Sequence, residues 1–429
     1  MADATAPPPE TAPAATPFRP SPRTGAALLA ALLLAGALHL ARPNRSAHLY
    51  AAPFAGPVAY AFNADSPSFA RVVARFPKGF VDCEQGQIRL NRPLYSFLGW
   101  LVSLPLRPLQ GLVPEAWERR ATGLMSVANH PEIWTGITGR EIVTAWVALV
   151  MVNLLLALAG LLLFHGALRA LFPPATALAL SLLPAAHPNT IEFIFVPTTA
   201  SFDLLIPAVF AFCAARAWAA GRRGHGGALG LGVCMLGKGF AAPFANWAWE
   251  HAARRGGRAG WRDLSVAASL FAGPALLYLA FVSLAGVPAR NPDVERFRQG
   301  VWMLDWLREG RAVEIPLRWA EGLARHAGHV VRGFWVPVAA ILLLALRQDR
   351  NPFRLPVPLA GHLGVYAAAC AAFWALLGFQ HVRLSAVQYP VAAFVLGAVA
   401  TRKSIRPEAW IGATVAASAA AAVAFPIAH

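Results

Sequence analysis

The chain has 429 residues, of which 57% are hydrophobic and only 14% charged; soluble domains run near a quarter charged, so this is a protein built for lipid. Its net charge of +16, from 37 Lys and Arg against 21 Asp and Glu, would point to nucleic acid in a soluble protein. Here the Arg residues flank apolar segments, as in positively charged cytoplasmic loops, so a nucleic-acid partner is set aside.

Residues 1–24 are rich in Pro and Ala and read as a disordered tail. Arg19 and Arg23 precede an apolar run at about 25–41 that reads as a signal anchor, which places the tail in the cytoplasm. Further apolar segments follow at about 141–168, 174–188, 203–220, 264–286, 331–348, 356–379, 385–400 and 409–428, giving about nine spans in all. With the N-terminus inside, the basic clusters at 215–223, 253–262, 347–354 and 402–406 all fall on the cytoplasmic side.

That topology requires two segments not to cross. Residues 226–250 carry Gly237-Lys238-Gly239 at their middle and read as a broken, re-entrant hairpin with Lys238 at its apex. The competing reading is a plain span with Lys238 snorkelling to the surface. Residues 93–113 read as an interfacial segment anchored by Trp100 and Tyr95. The expected fold is therefore all-α: a polytopic transmembrane helical bundle of about nine spans plus the re-entrant hairpin. It forms one membrane-embedded domain over 25–429, with external loops at 43–140 and 287–330.

Polar candidates concentrate in the first external loop. Asp65-Ser66-Pro67 has the pattern of a helix start, so Asp65 is a helix cap, a carboxylate fixed at a cavity mouth, or both. Asp82, Glu84, Arg92 and Tyr95 follow. Asp203, within a span, either faces a cavity or caps a helix beside Ser201, with Glu192 just before it. Arg383 sits at a helix mouth, as a site residue or as an anchor in lipid headgroups. His326 and His329 share a helical face but lack a third ligand, so no metal site is expected. Cys83, Cys213, Cys234 and Cys370 form no CxxC pair, and neither a disulfide framework nor a zinc site is indicated. No long amphipathic basic helix is evident.

The order of these features resembles the C-type (GT-C) integral membrane glycosyltransferase superfamily. The stretches that carry the likeness are "NADSPSFARVV", "NRPLYSFLGWLVSLPL", the helix centred on Asn153, "HPNTIEF…TTASFDLLIP", "GALGLGVCMLGKGFAAPFANWAW" and "HVRLSAVQYPVAAF". The likeness covers most of 25–400 and rests on order and hydropathy; Phe69 and Ser96 depart from the pattern. It implies transfer of a sugar from a polyprenyl-phosphate donor to an acceptor hydroxyl on the periplasmic face of a bacterial inner membrane, with inversion. Asp65 would be the base. Lys238, Arg383, Arg92 and Tyr95 would bind the donor phosphate and lipid, with Asp82, Glu84 and Asp203 as further polar candidates. No cofactor is implied, and the partners would be the donor, membrane lipid and a glycan, lipid or protein acceptor. Two other functions compete: a transporter or flippase-like protein, and a catalytically silent scaffold of the same architecture.

Overall fold

The computed structural model describes residues 20–41, 66–77, 92–127, 136–220, 225–245, 258–286, 300–346, 357–378, 382–404 and 406–425. The tail at 1–19 and the candidates Asp65, Asp82 and Glu84 lie outside the described residues. Within them the protein is all-helical. Six helices are long and apolar enough to cross a membrane, or seven if one bent pair counts as a single span.

The long helix α5 (Gly139–Arg169) is the axis of the fold. It begins at a capping box in which the Thr138 hydroxyl accepts from the Glu141 N–H while the Glu141 carboxylate accepts from the Thr138 N–H at 2.7 Å. This satisfies two backbone donors that a helix start otherwise leaves open. Around α5 pack α1 (Pro22–Ala41), α2 (Ser66–Ala74), α3 (Pro93–Ser103), α4 (Glu115–Val127), α6 (Pro174–Ser181) and, most extensively, α8 (Phe202–Ala220). The short α7 (Pro188–Phe193) lies against α1. Asn153, mid-way along α5, is fully buried and donates to the Val196 carbonyl at 2.7 Å, pinning the turn before α8 to the axis.

The helix α9 (Gly226–Met235) packs on α10 (Arg258–Leu284) at very close range: a Cβ on Gly232 would meet the Phe271 carbonyl oxygen at 2.3 Å. Elsewhere α10 is open, with Leu276, Leu277, Phe281 and Leu284 all more than half exposed. Such a surface suits lipid and is a liability in water. The remaining helices are α11 (Trp302–Arg308), α12 (Ile315–Gly333), α13 (Trp335–Leu346), α14 (Val357–Leu377), α15 (Tyr389–Lys403) and α16 (Pro407–Ala424). Here α12 packs on α14 and on the 3₁₀ turn Val382–Gln388, while α13 packs on α15 and α16.

Three expected spans come out differently, each for a backbone or compositional reason. The segment 174–188 is not one helix: α6 stops at Ser181 and turns lead to α7. Pro184 and Pro188 lack the N–H that a continuous helix needs there. The segment 331–348 is split between α12 and α13, which meet at 81° across Phe334. Pro337 cannot donate to the Gly333 carbonyl, so the helix is free to turn at that point. At the C-terminal end, α16 is eighteen residues long but dominated by Ala, and it is not among the six.

The segment 93–113 does not cross as one helix. It runs as α3 into a 3₁₀ stretch, Leu104–Leu112, at Pro105 and Pro108, with Phe97, Leu101, Leu109 and Leu112 exposed. Trp100 packs on Phe76 at 4.7 Å between ring centres. Tyr95 has no surface and is no interfacial anchor: it is fully buried, edge-on to Phe69, and its hydroxyl donates to the Leu149 carbonyl at 3.4 Å. One expected absence is also overturned. The helix α12 is nineteen residues long and amphipathic, with Arg318, Arg325 and Arg332 on one arc and Leu317, Leu323 and Val331 exposed on another. Its mixed charge and interspersed Gly and Ala disguise the two faces in a linear reading.

Candidate functional site

Helix α9 ends at Met235, and a turn through Leu236-Gly237-Lys238 carries the chain to a 3₁₀ turn at Ala242–Phe244. The break therefore falls at Gly237-Lys238-Gly239. Gly237 is needed because a Cβ there would lie 2.0 Å from the Phe202 ring, so the turn presses directly on the start of α8. The same turn is tied to the start of α3, where the Leu94 N–H donates to the Leu236 carbonyl at 3.2 Å.

These contacts bring together side chains from four distant stretches. The Lys238 ammonium donates to both oxygens of Asp203, at 2.5 and 2.6 Å. Asp203 sits in the first turn of α8, where the helix dipole favours a carboxylate. Its side chain is 2% exposed and that of Lys238 16%, so the pair is largely withdrawn from water. Lys238 thus neither snorkels nor continues a span, and the Asp203 carboxylate is engaged by a cation. Arg92, at the residue before α3, donates to the Thr199 hydroxyl at 2.9 Å, just ahead of α8. Arg383, in the 3₁₀ turn Val382–Gln388, lies with its guanidinium carbon 5.9 Å from the Phe193 ring centre.

Arg92 and Arg383 both act on Lys238, which lies in a turn outside the six apolar spans. Burial pushes the Lys238 ammonium below the ordinary lysine range; the Asp203 carboxylate opposes this, and the two guanidinium groups add to it by repulsion. Lys238, paired with Asp203, thus lies within the field of two further cations. Several basic side chains gathered in one place suit an anion with several oxygens.

The sequence candidates divide accordingly. Lys238, Arg383, Arg92 and Asp203 come together, whereas Tyr95 is held in the core. Thr199, the acceptor for Arg92, was not a sequence candidate; a lone Thr before a helix carries no signal except as a capping residue. Neither was His187, which is buried with Nδ1 accepting from the Asn189 N–H at 3.1 Å and Nε2 unpartnered. It packs on Phe334 with ring centres 4.7 Å apart and the rings tilted by 42°. Burial pushes its pKa down to about 3. Among the described residues no group of three or more His, Cys, Asp or Glu could hold a metal ion.

Fold and site together define a protein that is all-helical over its described residues, with several helices able to cross a membrane and a cluster of Lys238, Asp203, Arg92 and Arg383 beside them. No family model matches the chain, and comparison with curated proteins and with solved structures gave no match either.

Proposed function

We propose that the protein is a multi-pass bacterial inner-membrane glycosyltransferase that moves a sugar from a polyprenyl-phosphate donor to an acceptor hydroxyl on the periplasmic side. One observation carries the reading: Lys238, held on Asp203, lies in the field of Arg92 and Arg383, so that charged side chains from four distant stretches gather beside apolar helices. A lipid-linked phosphate has matching halves, an oxyanion for the cluster and a hydrocarbon tail for the exposed apolar surface of α3 and the 3₁₀ stretch after it.

In this mechanism the acceptor hydroxyl attacks the anomeric carbon from the face opposite the phosphate, with inversion. The C–O bond to the lipid phosphate breaks, and its electron pair leaves on the phosphate oxygen. Fixed cations stabilise that developing charge without having to reorganise. A carboxylate takes the acceptor's proton. Asp203 is unsuited to that task because Lys238 holds both its oxygens, so it positions Lys238 instead. Asp65 is the proposed base. The buried Lys238–Asp203 pair favours, as a second reading, a transporter whose ion-binding groups lie among the helices.

The test is sugar transfer in membranes containing the full chain, with radiolabelled polyprenyl-phosphate sugars, comparing wild type with Asp65→Asn and Arg383→Gln. The proposal expects transfer by wild type, its abolition by Asp65→Asn with expression retained, and a strong reduction by Arg383→Gln. Transfer unaffected by Asp65→Asn removes the base from this residue. Absence of transfer by wild type across several donors favours the transporter or the silent scaffold.

A further inference from the structure

On a different part of the fold, α11, α12 and the C-terminal end of α14 enclose an open cavity of about 270 Å³. It is separate from the Lys238 cluster in its residues and in its charge pattern. Its wall includes Trp306, Glu314, Leu317, Arg318, Glu321 and Arg325. The Arg318 guanidinium lies in cation–π contact with two tryptophans, 4.8 Å from each of the Trp302 and Trp306 ring centres. Trp302 is itself fixed, since its indole N–H donates to the Leu376 carbonyl at 2.9 Å. Glu314 is gripped by Arg311 at 2.7 and 2.9 Å, and Arg325 reaches Glu321 only at 3.6 Å. Arg318 makes no ion pair with a carboxylate among the described residues.

An arginine held between two aromatic rings with its guanidinium outside any ion pair is organised in advance for an oxyanion, because less freedom remains to be lost on binding. The Glu321 carboxylate on the same wall, held only loosely by Arg325, suits a cationic group beside that oxyanion. The surroundings are apolar and uncovered: Leu304, Leu307, Val313 and Leu317 are each more than half exposed. From the same helix the apolar arc continues through Trp319, Leu323 and Val331, and α13 leaves at 81°. A helix of this character lies in the headgroup plane of a bilayer while its neighbour descends into the lipid.

We propose that this cavity binds the headgroup of a zwitterionic phospholipid with a primary amine, of the phosphoethanolamine type. The phosphate sits on Arg318 and the ammonium faces Glu321. The acyl chains lie outside the cavity, along the exposed leucines. The volume fits this division, since sites for whole drug-sized ligands begin near roughly 300 Å³. A purely anionic lipid would bring no cation to Glu321 and would bind less well.

The test uses the full chain, purified in an oligo-oxyethylene detergent, delipidated, and offered equimolar palmitoyl-oleoyl phosphatidylethanolamine and phosphatidylglycerol with native mass spectrometry as the readout. The expected result is preferential retention of phosphatidylethanolamine. Arg318→Gln should weaken retention by about tenfold or more, the scale of one charge-assisted hydrogen bond. Glu321→Gln should reduce the preference for phosphatidylethanolamine while leaving phospholipid binding in place. If Arg318→Gln fails to fold, Arg318→Lys keeps the charge without the planar fork and should show a smaller loss. Equal retention of both lipids by wild type, retention unchanged in the Arg318 variants, or displacement of the lipid by methyl glucoside alone overturns the proposal.

Discussion

Removing one member of the Lys238–Asp203 pair should destabilise the protein strongly, and unequally depending on which member goes. At 2.6 Å the two charges attract by about 6 kcal/mol at an effective dielectric constant near 20, of which desolvation of both ions cancels a large part. Breaking a buried pair from one side nevertheless costs about 3–5 kcal/mol, because the survivor stays buried without its counter-ion. The surroundings set the asymmetry. Asp203→Asn leaves Lys238 in the repulsive field of Arg92 and Arg383, whereas Lys238→Met removes the cation that those two groups repel. Asp203→Asn should therefore fall at the upper end of that range and Lys238→Met at the lower. The double variant should recover at least about 1 kcal/mol relative to the sum of the two, the coupling expected of residues in contact. Thermal unfolding of the four proteins in one detergent, closing a double-mutant cycle, measures all three quantities. Additive single effects, or a Lys238→Met protein as stable as wild type, would refute the buried-pair argument.

Other expectations rest on separate contacts. Gly232→Ala pushes a methyl group to 2.3 Å from a backbone oxygen on α10 that cannot rotate away, so it should cost about 3 kcal/mol or more in unfolding measurements. Gly237→Ala meets the Phe202 side chain instead, and Phe202→Leu in the same chain should recover part of its loss of about 1–3 kcal/mol. Tyr389→Phe removes the hydroxyl that donates to the Leu204 carbonyl at 2.8 Å and should cost about 1 kcal/mol in the same assay. His187 titrates near pH 6.5 when unfolded but at about 3 in the fold, outside the six apolar spans. Its contribution is intact above the unfolded value and is lost as the pH falls below it, because only the unfolded state takes up the proton. Lowering the pH from 7 to 5 should cost about 2 kcal/mol through this residue, and His187→Phe should show a correspondingly shallower acid dependence.

Much of the helical layout was legible in the linear chain. Leu- and Ala-rich runs at 25–41, 141–168, 203–220, 264–286, 356–379 and 385–400 correspond to the six apolar helices, because hydrocarbon thickness imposes a length that composition alone can reveal. The interruption at Gly237-Lys238-Gly239 was equally plain, a charge between two residues without side chains. The segment 174–188 misled because its hydropathy is that of a span while Pro184 and Pro188 deny it a continuous hydrogen-bond ladder. Tyr95 misled because an aromatic with a polar tip serves a membrane surface and a buried hydrogen bond equally well.

Composition and periodicity by themselves thus determined that the described residues are all-helical with several lipid-compatible helices, since burial of apolar surface depends on local sequence. The charged cluster was a matter for the tertiary structure. Arg92 and Thr199 are 107 residues apart and Asp203 and Lys238 are 35 apart, and no local periodicity links them. Only the close approach of the Gly237 turn to Phe202, and the tie from Leu94 to Leu236, decide that these side chains share one space. Charges interact through distance in the fold, and sequence separation does not encode that distance.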